Sequence, residues 1–230
     1  MKILLIAGHG AGDPGATGCG YKEADLTREM AKLIKPRLEK YATVAIADTS
    51  VNWFNARGSL PLSGVDYVLE LHLNACVNDL EGNGKTTGTE IFVTASEKST
   101  GVEENIVNNI SALGLKNRGV KRKNFSVINY IKNRGISSAL LELCFIDDAD
   151  DMKIYTTKKN EIADAIAKGI ADGFRLRKVE AKPANELAEA CRLLASKGII
   201  DSPDYWAKGK GYSEENTVLL IKKFAKYVKG

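Results

Sequence analysis

Residues 2–23 read KILLIAGHGAGDPGATGCGYKE, and the two halves of this stretch obey different rules. A short apolar run, Ile3 to Ala7, stops at Gly8-His9-Gly10. Gly12, Pro14, Gly15, Gly18 and Gly20 then pass before a regular pattern resumes. The apolar run predicts a buried strand over Lys2–Gly8, and the glycines and proline predict an irregular loop to about Tyr21. From Ala24 to Tyr41, the residues Leu26, Met30, Leu33, Ile34, Leu38 and Tyr41 recur at helical spacing, with Pro36 expected to bend the helix. Strand, loop, helix is the opening unit of an α/β sheet.

The pattern continues along the chain. Thr43–Ala47, Asp66–Leu71, Gly88–Thr94 and Ser138–Phe145 read as strands, and Val102–Leu113 and Lys158–Phe174 as helices. Phe125–Ile131 fits either state. The expected fold class is therefore α/β: a twisted, mostly parallel sheet with helices on both faces. Near Leu176 the composition changes to the polar segment RKVEAKPAN. We read a catalytic-sized domain over 1–176, a linker over 177–184 and a small all-helical C-terminal domain over 185–230. In the last, helices are expected over Asn185–Lys197, stopped by Gly198, and over Ser213–Val228, with Ser213 as N-cap. A segment this short has little core of its own, so docking on the main domain or on a second copy, a homo-oligomer through these helices, is in keeping with its size.

Composition narrows the classes. Of 230 residues, 44% are hydrophobic and 27% charged, the balance of a soluble globular protein. The net charge of +4 allows an anionic partner, but no stripe interleaves aromatic and basic residues, which argues against nucleic acid. No apolar stretch is long enough to span a bilayer, so membrane insertion is not expected. Ile3–Ala7 is too short for a signal-peptide core, so the chain is expected to be made in the cytoplasm without a signal peptide. Cys19, Cys76, Cys144 and Cys191 include no C-x-x-C pair, which fits small buried or half-buried thiols better than disulfides or a four-cysteine zinc site.

What is the glycine loop for? Gly10 to Gly15 satisfies G-x-G-x-x-G, and Asp48 ends the second strand, where a ribose ligand would stand. That fingerprint needs a helix starting within it, and Pro14, Gly18 and Gly20 keep this chain irregular. A second glycine loop, Gly84-Lys85-Thr86, lacks the first P-loop glycine, has Asp79 in its place, and precedes a strand; it reads as an exposed turn. Metal binding explains more. The chain has two histidines, His9 and His72, and each falls at the carboxyl end of a predicted strand, the edge where α/β sheets gather ligands. A zinc site with an open position needs a third ligand. Glu23 at the start of the first helix and Glu70, two residues before His72, compete for that place. Glu23 is preferred because Glu70 lies one step nearer the sheet interior. Glu142 sits in the apolar strand SSALLELCF, where an unpaired carboxylate is costly, and a glutamate beside a metal is the usual general base of metal-assisted hydrolysis.

The segments LIAGHGAGDPGATG, YKEADL, LELHLNA, GTEIFV, NRGVKR and ALLELCFIDDADD, in this order, resemble the zinc-dependent N-acetylmuramoyl-L-alanine amidases of the third structural type over roughly Met1–Leu176. The resemblance implies one zinc ion per chain, held by His9, Glu23 and His72, with Glu142 catalytic. It implies cleavage of the amide between N-acetylmuramic acid and L-alanine in bacterial peptidoglycan. The chain departs from the family pattern over Asp48–Gly64, which lacks the common Thr-Arg and Ala-Asn elements, and at HLNA, which replaces a HANA-like form. Asn74 and Glu90 match family positions and read as buried hydrogen-bonding residues. The layout resembles endolysins of phages that infect Gram-positive hosts, which act on the cell wall after release from the cytoplasm. The segment from Leu193 to Val228 resembles C-terminal parts of such lytic enzymes; Lys222, Lys223, Lys226 and Lys229 suit either an anionic wall polymer or a solvated helix face. The alternatives are a zinc peptidase acting on stem peptides and a non-catalytic wall-binding protein.

Overall fold

A computed structural model of the chain describes residues 1–10, 12–178, 184–208 and 211–229. The chain divides into two compact units, Met1–Lys178 and Val179–Gly230. Of the linker read over 177–184, residues 179–183 lie outside the described residues. No helix among the described residues is long and apolar enough to cross a membrane.

The first unit runs β1 (Lys2–Ala7), β2 (Thr17–Gly18), β3 (Tyr21–Lys22), α1 (Glu23–Leu38), β4 (Thr43–Ile46), α2 (Trp53–Ala56), β5 (Tyr67–Asn74), β6 (Thr89–Val93), α3 (Gly101–Ser111), β7 (Asn117–Arg122), α4 (Ser126–Lys132), β8 (Ser137–Phe145) and α5 (Ala149–Gly173). Six strands form one sheet in the order β4-β1-β5-β8-β6-β7. β4, β1, β5 and β8 are parallel, and β6 and β7 run the other way, β6 pairing antiparallel with β8. The sheet is thus mostly parallel.

Strand side chains alternate between faces, and the two sets meet different helices. Ile3, Leu5, Leu69, Leu71 and Leu141 pack with Met30 and Ile34 of α1, Ile106 of α3 and Ile162 of α5. Leu4, Ile6 and Val68 pack with Trp53 of α2 and with Val127 and Ile131 of α4. The second face is covered by short helices only. Where their cover ends, the same face of β5 and β8 continues into Glu70, His72 and Glu142, which line a cleft instead of a core. Truncating the fully buried Leu141 to alanine removes packing worth about 2–5 kcal/mol.

Several details differ from the sequence reading. β7 was not expected: NRGVKR carries three cations and forms an edge strand, where charge protects against further pairing. The ambiguous Phe125–Ile131 run is helical, as α4. α5 begins at Ala149, not Lys158, because Asp148 caps it by accepting from the Asp150 and Asp151 amides. Lys158 itself is non-helical (φ −125°, ψ 23°), so the legible apolar period starts at a break in the helix. α1 passes through Pro36 and ends at Leu38. In the Gly84-Lys85-Thr86 turn, the amides of Asn83, Gly84 and Lys85 all donate to Asp150 Oδ2, at 2.9, 2.7 and 3.1 Å. The nest that a phosphate would need is filled by the protein's own carboxylate.

The second unit comprises α6 (Ala184–Ser196), α7 (Pro203–Trp206) and α8 (Glu214–Lys229). Its core is small: Cys191, Ile199 and Ile200 are buried, with Leu194, Trp206 and Leu220 packed against them. Ser213 Oγ accepts from the Asn216 amide at 3.1 Å and so caps α8.

Candidate active site

The loop after β1 is held by α1. Gly8 N continues the ladder to Leu71 O at 2.9 Å, and Thr27 Oγ1 donates to Gly8 O at 3.0 Å. His9 then takes a left-handed backbone (φ 65°), a conformation that costs a non-glycine residue about 1–3 kcal/mol unless its surroundings fix it. Arg28 supplies that fixing: its Nη2 donates to His9 O at 3.2 Å and to Thr49 O at 2.9 Å.

Glu23, the first residue of α1, lies between the two histidines. Its Oε2 is 3.0 Å from His9 Nε2, and its Oε1 is 2.8 Å from His72 Nδ1. The Ala16 and Leu73 amides also donate to it, at 2.9 and 3.0 Å. The imidazole rings stand edge to face, 5.0 Å between centroids. One ligand atom from each of His9, Glu23 and His72 lies within 4.8 Å of the others. Two glycines make this approach possible. A β-carbon at Gly8 would lie 2.5 Å from His72 Cε1, and one at Gly15 would lie 2.6 Å from His9 Cδ2 and 2.7 Å from Glu23 Oε2. Two imidazoles and one carboxylate, converging at a cleft, are the donor set of a zinc site that keeps a position open. Glu70, the competing carboxylate, stands outside this trio: its Oε1 is 3.3 Å from His72 Nε2, and its Oε2 has no hydrogen-bond partner among the described residues.

The charges follow from these contacts. Burial opposes ionisation of Glu23, but hydrogen bonds from His72 and His9 hold it well below the usual carboxylate range. The hydrogen bond to Glu23 raises His9, against the cost of burial. Burial opposes the charge of His72, yet hydrogen bonds to the Glu23 and Glu70 carboxylates raise it.

Glu142 faces His72 across the β5–β8 ladder and Glu90 across the β6–β8 ladder. Its Oε2 is buried with no hydrogen-bond partner among the described residues. Burial pushes its carboxyl up to about 7; the Glu23, Glu90 and Glu70 charges add to this, and His72 opposes it. Glu90 is ionised by its own neighbours. It accepts from Asn74 Nδ2 at 2.8 Å, from Arg118 Nε at 2.7 Å and from Lys121 Nζ. Burial works against that charge, and the two cations hold the carboxyl below its usual range.

Sequence reasoning missed Asp13. Its Oδ2 lies 2.9 Å from His9 Nδ1 and accepts from Asn52 Nδ2 at 3.2 Å, while its Oδ1 accepts from the Gly15 amide at 3.0 Å. Asp13 orients His9, as carboxylates behind metal-binding histidines commonly do. The available signal was its spacing, four residues after His9 in the same glycine loop. Asp48, the imagined ribose ligand, is instead turned on its own loop, accepting from Ser50 Oγ at 2.7 Å. The cleft, about 510 Å³, is further lined by Asn52, Trp53, Phe54, Phe125 and Cys76.

Comparison with known proteins places the chain in a family. A family model described as N-acetylmuramoyl-L-alanine amidase matches residues 3–172. The endolysin of Bacillus phage SPP1 is 27% identical over 217 residues, which cover 88% of this chain and 77% of that one. The sporulation-specific N-acetylmuramoyl-L-alanine amidase of Bacillus subtilis strain 168 is 27% identical over 231 residues, covering 96% of this chain and 85% of that one. Among solved structures, the amidase AmiC2 of Nostoc punctiforme superposes with a TM-score of 0.62 at 21% identity, over 76% of this chain and 97% of that one. The catalytic domain of the amidase CwlV from Bacillus (Paenibacillus) polymyxa var. colistinus gives 0.61 at 21% identity, over 76% and 99%. These two likenesses concern the fold. With the family model running from β1 into the last turn of α5, the chain belongs to the N-acetylmuramoyl-L-alanine amidase family, the amidases of peptidoglycan.

Proposed function

We propose that the protein is a zinc-dependent N-acetylmuramoyl-L-alanine amidase that acts as a phage endolysin, made in the host cytoplasm and cutting the wall after release. His9, Glu23 and His72 hold one zinc ion, which supplies Lewis-acid polarisation of the scissile carbonyl and of water. Glu142 is the proton carrier. Its Oε2 takes a proton from the attacking water and passes it to the nitrogen of L-alanine as the amide breaks, leaving the lactyl carboxylate on the glycan. A carboxyl near 7 serves both halves of that transfer at neutral pH. Asp13 and Arg28 keep His9 in register.

The observation that carries this reading is the adjacency of Glu142 to His72 on neighbouring strands, in a cleft that is also lined by His9 and Glu23. Mass spectrometry of fragments released from purified peptidoglycan tests it. New L-alanine amino termini and peptide-free glycan are expected, and both should vanish with chelator. New amines on other residues would make the enzyme a stem-peptide peptidase, and no release at all would make it a wall-binding protein.

A further inference from the structure

The second unit has a cleft of its own, about 300 Å³, between the Ile199–Trp206 segment and α8. Its floor is apolar: Ile199 and Ile200 are buried, and Leu220 packs beside them. Its walls are aromatic and polar. Tyr205 and Trp206 stack edge to face at 5.3 Å, and Trp206 meets Tyr212 at 4.9 Å, so the rings are braced against one another. Asn216 Nδ2 donates to the Tyr205 hydroxyl at 3.1 Å. At the rim, Lys223 Nζ lies 3.0 Å from Asp201 Oδ2.

We propose that this cleft binds a neutral N-acetylated amino sugar of the peptidoglycan glycan strand; the ligand class rests on the reading that the enzyme works on that polymer. Three features select it. A concave space of this size suits a small-molecule group of one or two rings, not a packed helix. A pyranose offers an apolar C–H face ringed by hydroxyls that both donate and accept. The cleft answers with an apolar floor, aromatic walls, an amide, a phenol, a carboxylate and an ammonium. Asp201 and Lys223 are the charged residues lining it and neutralise each other, so it holds no net charge to recruit an anionic polymer. Lys223 is therefore withdrawn from the basic face read in the sequence.

Binding here tethers the catalytic unit to the polymer it cuts and raises its effective concentration there. The test uses the full chain with Trp53→Phe, so that Trp206 is the remaining tryptophan. A β-1,4-linked oligosaccharide of N-acetylglucosamine, which carries no lactyl carboxylate, should shift Trp206 emission saturably. Asp201→Asn and Asn216→Ala, both away from the buried core, should each weaken that binding by about tenfold, the scale of one lost hydrogen bond to sugar. Thermal transitions should stay unchanged. The proposal is overturned if the oligosaccharide does not bind, if both variants bind it like the parent, or if only an anionic wall polymer or free stem peptide binds. The amidase reading has a separate readout, release of L-alanine amines from soluble muropeptides by the unsubstituted chain, which can fail while the cleft still binds sugar.

Discussion

Glu142 stands directly opposite His72 in the β5–β8 ladder, so one pair of strands sets the proposed proton carrier beside a histidine of the proposed zinc site. Glu142→Gln should leave zinc content and fold intact while lowering turnover by about 10²–10⁴-fold, the usual loss on removing a general base. Metal analysis beside kcat on soluble muropeptides checks both halves. A variant that loses its zinc would mean that Glu142 is a ligand.

The three proposed ligands should behave differently from Glu142. His9→Ala, His72→Ala and Glu23→Ala should each empty the site, abolish activity and lower the melting temperature, since bound metal stabilises the folded state by linkage. Glu70→Ala should keep its zinc. If Glu70→Ala alone strips the metal, the third ligand lies on β5 and not on α1.

Much of this was legible in the sequence, and the exceptions have physical causes. SSALLELCF announces a buried strand because its apolar run is continuous, and Glu142 is conspicuous for breaking it. His9 and His72 stand out because strand ends are where α/β sheets gather ligands. NRGVKR gave no signal because edge strands are polar by necessity. The first half of α5 was hidden because its entrance is written in capping carboxylates, Asp148, Asp150 and Asp151, not in apolar spacing. The part played by Asp13 depends on a left-handed turn at His9, which no periodicity announces.

Gly15 and Gly12 form an internal control. Both have positive φ, 67° and 88°, so alanine strains either backbone. A β-carbon at Gly12 meets nothing within 4 Å, whereas one at Gly15 collides with His9 and Glu23. Both alanine variants should lose stability by about 1–3 kcal/mol from strain. Gly15→Ala alone should also weaken zinc binding in a chelator competition.

Asp151 makes stability depend on pH. Burial raises its carboxyl to about 6 from the usual 3.8 of an aspartate, although the Phe145 and Gly88 amides pull the other way. Between those two values the folded chain holds a proton that the unfolded chain has released. Stability from this group is therefore full below the lower value and is lost as pH rises through the upper one. Urea midpoints should fall for the parent relative to Asp151→Asn across that window, then run parallel above it. A constant difference at all pH values would remove Asp151 as the cause.

A chain ending at Lys178 should fold, keep zinc and cut soluble muropeptides, because both large apolar cores draw only on residues before that point. Its hydrolysis of intact walls should be slower. Aggregation of the truncated chain would place part of the second unit in the fold of the first.

The strand order has a consequence for synthesis. Among the described residues β8 is the last strand to be made, yet it belongs inside the sheet, between β5 and β6. A chain emerging from the ribosome presents both histidines and Glu23 long before Glu142, and the slot that must receive Glu142 stays open until residue 145 is free. Pairings of such long sequence separation form slowly. A lytic enzyme built this way is inert while it is translated and becomes dangerous to the wall only once the chain has closed on itself.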